Sequence, residues 1–116
     1  MEDISQAPQV PFDWESAATT AGTAVEALIA RLPDELRPEA LALSIDLCER
    51  SADPDQQDWL GSYSRSAQLI ELYLKVIHEY CVENSVNFQR QIEITYLHEL
   101  GHHLGLGEQA LLDRGL

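Results

Sequence analysis

From Asn84 to Gly105 an apolar residue recurs at every fourth position: Phe88, Ile92, Tyr96 and Leu100. That spacing predicts one long helix, from about Val86 to Leu104, with Asn84 or Ser85 as its cap. Gly105 stands where a helix ends, because glycine accepts the left-handed backbone that closes the last turn. The rest of the chain has to supply what packs against this helix.

A second helix is predicted earlier. Asp13 is placed to cap it, and Trp14, Ala18, Ala21, Val25, Leu28, Ile29 and Leu32 recur at spacings of three and four until Pro33 stops it. "PDELRP" reads as a turn or helical loop. "LALSIDLCE" then alternates, with Leu41, Leu43, Ile45 and Leu47 on one side, which predicts a half-buried strand. "RSADPDQQD" is an acidic loop. "LIELYL", at 69–74, alternates again and predicts a second strand, taken as the edge of the sheet. "KVIHEYCVEN" fits a short helix and a strand extension equally. "EQALLDRGL" offers a final helical turn or two. Helix, strands and helix in this order predict an α+β domain over residues 13–116, preceded by a flexible arm at 1–12.

The long helix carries "YLHELGHHLGLGEQ", residues 96–109. His98, Glu99 and His102 form H-E-x-x-H. Four residues make slightly more than one helical turn, so both imidazoles leave from one face and can reach one zinc ion. Glu99 projects beside them, suited to a water molecule rather than to the metal. His103 points away. A catalytic zinc site needs a third protein ligand and one open position. After the turn at Gly105, Glu108 arrives at the right distance, completing H-E-x-x-H-x-x-G-x-x-E; Asp113 is the reserve. Met1 is the sole methionine, so no methionine turn can underlie such a site.

"HELGHHLGLGEQAL" resembles the small bacterial minimal zincin-like metallopeptidases, which show H-E-x-x-H-H-x-G with an acid three residues after the glycine. A looser similarity spans roughly residues 14 to 112 and includes "LPDELRPEALALSIDL", "LGSYS" and "IELY". The resemblance implies a zincin-like fold, hydrolase activity, and site positions at His98, Glu99, His102 and Glu108. The family more often carries Asp at the last of these, and "LGSYSRSAQ" is shorter than its counterpart. Zincins commonly take substrate as a strand added to a sheet edge.

Charge narrows the partners. Twenty acidic residues against seven basic ones give a formal charge of −13. This disfavours nucleic acid and anionic membranes, and favours a metal cation or a basic peptide. Two cysteines, Cys48 and Cys81, are too few for a disulfide framework, and "MEDISQAPQVPFDW" is unlike a signal peptide, so the expected compartment is the cytoplasm. Tyr63, Tyr73 and Tyr80 are candidates for hydrogen bonding to an oxyanion, each equally suited to packing. His78 and Trp59 read as structural, and Glu71 as a charge that protects a sheet edge. The first functional expectation is a zinc peptidase acting on a peptide or protein. The alternative is a metal-binding or peptide-binding module of the same fold that hydrolyses little.

Overall fold

The computed structural model describes residues 11–113. Of the predicted arm, residues 1–10 therefore lie outside the described residues, while Phe12 packs edge-on against His78 with ring centroids 5.6 Å apart.

Helix α1 runs Trp14–Arg31, and the Asp13 carboxylate accepts from Ser16 N at 2.9 Å, satisfying a backbone donor at the open helix end. Ala21, Ala24, Val25 and Leu28 form its buried stripe. Leu32 is extended because Pro33 follows it, and the helix stops there. Helix α2, Arg37–Leu41, carries Pro38 in its first turn, and its Ala40 is buried together with the N-cap residue Leu36. This corrects the predicted strand start. Leu41 belongs to α2 and is 67% exposed, and strand β1 spans only Ser44–Cys48. The alternation through 41–47 is real in the sequence, but the proline-led turn claims its first members.

Strands β2 (Gly61–Ser64) and β3 (Leu69–Tyr73) form a hairpin around residues 65–68, with Gln68 at φ 51°. The sheet order is β1-β3-β2, with β1 parallel and β2 antiparallel to β3. β3 is thus central, and the edge expected at 69–74 is supplied instead by β2. Gly-Ser-Tyr-Ser has weak strand propensity, and its pairing with β3 is a tertiary effect. Ile70 and Leu72, both fully buried, point with Ile45 and Leu47 toward the helices. Glu71 faces the other way, where it accepts from Tyr73 Oη at 3.1 Å and lies 3.4 Å from Ser62 Oγ. It is a partner in an internal polar cluster, not an edge charge.

The ambiguous segment is helix α3, Leu74–Asn84, which follows β3 without a loop. Ser85 adopts φ 56° and closes it, and Asn87, not Asn84 or Ser85, caps the long helix by accepting from Arg90 N at 2.9 Å. That helix, α4, runs Phe88–Leu104. Ile92, Tyr96 and Leu100 are fully buried against α1, α3 and the sheet. Gly105, at φ 69°, ends it, and Leu106 N donates back to Gly101 O at 2.8 Å. Helix α5, Glu108–Asp113, follows. Among the described residues no helix is long and apolar enough to cross a membrane.

Candidate metal centre

Two stripes run along α4. The apolar one, Ile92-Tyr96-Leu100, fixes the helix in the core. One residue back runs a polar stripe, Gln91-Thr95-Glu99-His103, which the apolar periodicity drew attention away from. Gln91 Nε2 donates to Thr95 Oγ1 at 3.1 Å, and Gln91, Thr95 and Glu99 are all buried. This stripe faces β2. A Cβ on Gly61 would lie 2.9 Å from Thr95 Cγ2, 3.0 Å from Glu71 O and 3.5 Å from Glu99 Cγ. Only glycine lets the strand approach the helix this closely, and the approach shields Glu99 from water.

His98 and His102 leave α4 on its exposed side. Their Nε2 atoms are 3.3 Å apart, and the rings meet edge to face, 87° between planes. Ligand atoms of His98, Glu99 and His102 all fall within 4.8 Å of one another. Two nitrogens each about 2.0–2.1 Å from a tetrahedral zinc ion stand about 3.4 Å apart. The separation of the imidazole nitrogens therefore suits one such ion. The chain belongs to the zincin-like metallopeptidase family. The family model matches residues 24–116, from within α1 to the last residue. No curated protein matches the chain at a significant level. The zincin-like family takes a metal, usually zinc, in agreement with the donor set on α4.

Electrostatics set Glu99 apart from the other acids of this zincin-like domain. Burial under β2 raises its carboxyl above the ordinary value, and the neighbouring His98 and His102 pull it back only in part. A cation between the imidazoles would favour the carboxylate further.

The remaining candidates separate cleanly. Glu108 opens α5, but its side chain lies outside the described residues. Asp113 is exposed and accepts from Gln109 Nε2 at 2.9 Å within α5. Tyr63 Oη lies 2.8 Å from His103 Nδ1. Tyr73 is buried on the far side of the sheet, its hydroxyl 2.8 Å from Ser62 Oγ, and burial pushes its pKa up. Tyr80 and Trp59 are exposed, on α3 and just before β2. His78 lines a groove of about 470 Å³ bounded by the start of α1, by α3 and by Phe88, the first residue of α4. Cys81 is buried and Cys48 half-buried, and burial raises both thiols. Gly61 is the site residue that sequence reading missed. Its only trace there is a glycine leading a short segment with weak strand propensity.

Proposed function

We propose that this chain is a zinc-dependent peptidase whose metal is held by His98, His102 and Glu108 and whose general base is Glu99. The observation that carries the reading is the 3.3 Å Nε2 pair beside a carboxylate that is only 8% exposed. Glu108 is favoured as third ligand over Asp113 because the left-handed turn at Gly105 folds the chain back, and α5 begins three residues later against α4. Zinc, when bound, polarises the attacking water and the scissile carbonyl. Glu99 accepts the proton of that water and then delivers it to the leaving amine, the protein's own part in the reaction. Its shielding by Gly61 keeps bulk water from competing for the carboxylate. The edge of β2 that carries no strand among the described residues runs alongside and offers backbone groups to an extended peptide, which would lie beside Glu99 as an added strand. The acidic surface favours basic segments as substrates.

Elemental analysis of the purified protein, followed by exposure of a mixed peptide library to zinc-loaded wild type and Glu99→Gln, tests the reading. Stoichiometric zinc with cleavage that the variant loses supports it. Absence of zinc removes it. Full zinc without cleavage replaces it with a metal-binding module.

A further inference from the structure

Strand β2 has four residues and, among the described residues, pairs through one side, with β3. A strand so short holds its place by what lies beneath it. Beneath Gly61 are Thr95 and Glu99; beneath Tyr63 is His103, ring centroids 5.5 Å apart at 70°. The His103 ring is enclosed, with a side chain only 12% exposed, and both of its nitrogens have protein partners. Nδ1 is 2.8 Å from Tyr63 Oη, and Nε2 is 3.2 Å from Glu39 Oε1 on α2. A carboxylate oxygen only accepts, so Nε2 carries the proton in the neutral ring, and Nδ1 accepts from the Tyr63 hydroxyl. One imidazole thus joins three elements, and with the ring neutral the tyrosine's single proton is committed to it.

We infer that His103 is a positioning residue: through Glu39 and Tyr63 it clamps β2 onto α4 and fixes the cleft wall over Glu99. The inference rests on the peptidase reading for its functional consequence, and on geometry alone for the clamp. It also gives Tyr63 a role other than oxyanion donor. The hydroxyl is spent on His103, one turn beyond Glu99 on the stripe that faces β2.

The test uses full-length zinc-loaded protein with Tyr63→Phe, which keeps the ring and deletes the hydroxyl, His103→Ala, and Glu39→Gln, whose amide oxygen still accepts from Nε2. Amide hydrogen exchange at residues 61–64 should rise roughly 3- to 10-fold in the first two, the scale of one intramolecular hydrogen bond, and stay near wild type in the third. Two probes add a readout that mere loss of stability would not move. Acetohydroxamate, which contacts little beyond a metal, should bind all variants alike. The tripeptide hydroxamate Pro-Leu-Gly-NHOH, which also needs the wall, should lose affinity by a similar factor in Tyr63→Phe. Unchanged exchange in Tyr63→Phe overturns the clamp. Equal losses for both probes overturn it too, because His103 would then act through the imidazole pair. If wild type takes up no zinc, the peptidase reading falls, and the exchange measurement still decides the clamp: a rise supports it and no rise removes it.

Discussion

The two ends of α4 both sit close to histidine, and they differ in what the histidines meet. Near Phe88, His78 stands against the ring of Phe12 in a groove lined by Ala17, Cys81, Val82 and Val86. At the other end, two imidazole nitrogens converge to 3.3 Å beside a buried carboxylate. The first environment sets one ring against an aromatic ring in a groove of mixed apolar and polar lining, with no second imidazole in that lining. The second brings two exposed imidazole nitrogens together beside a carboxylate that is shielded from water. Convergence, rather than histidine content, separates a candidate metal centre from a packed aromatic.

The strongest way to break this contrast is to exchange its members. His98→Ala or His102→Ala should abolish stoichiometric zinc, measured by elemental analysis after dialysis, while His78→Ala should leave it intact. Equal zinc in all three variants would place the metal elsewhere. The next effect concerns the carboxylate. Glu99→Gln should retain zinc and lower kcat by about 10²- to 10⁴-fold, with KM little changed, because the amide keeps the size of the side chain and cannot accept a proton. A variant that cleaves at the wild-type rate would show that Glu99 is not the base.

What the sequence disclosed followed the range of the interactions. α1 and α4 are local objects, and Asp13, Gly105 and the apolar spacings mark both in the bare chain. H-E-x-x-H is equally local, since one helical turn brings its members together. The wall of the site is different. Tyr63 meets His103 across 40 positions, and His103 meets Glu39 across 64. No period connects them. β2 has no local signal for the same reason: Gly61 and two serines become strand only once β3 is beside them. β1 starts later than the alternation of Leu41 and Leu43 predicts, because the helical turn that opens at Arg37 runs through Leu41. The cap of α4 moved to Asn87 because α3 persists to Asn84 and needs Ser85 for its own close.

Two glycines sharpen the comparison, one in the wall of the site and one in α1. Gly61→Ala places a methyl group against Thr95 and the backbone oxygen of Glu71, at 2.9 and 3.0 Å, so strand and helix must part. Overpacking of this kind costs about 1–3 kcal/mol, read by urea denaturation. Gly22, inside α1, has nothing within 4 Å of its added Cβ. Gly22→Ala should stabilise by about 0.5–1 kcal/mol through helix propensity. Similar outcomes for the two substitutions would mean that β2 does not press on α4.

The smallest expected effect is a pH slope in the metal-free protein. Glu99 has a raised pKa in the folded state because burial outweighs the two nearby imidazoles. Between its ordinary value near 4.5 and the raised one, the folded chain holds a proton that the unfolded chain has released. Stability from this group is therefore fully present below the ordinary value and is lost as pH rises through the raised one. Glu99→Gln has no such proton to lose. Above that window the metal-free variant should melt at a higher Tm than metal-free wild type, and the gap should close as the solution is acidified. Zinc should reverse the order for the wild type, because a cation beside the carboxylate favours its charged form. Thermal melts of both proteins at a series of pH values, with chelator and with zinc, check this. If the metal-free curves run parallel at every pH, Glu99 is solvated, and the shield at Gly61 is not closed in solution.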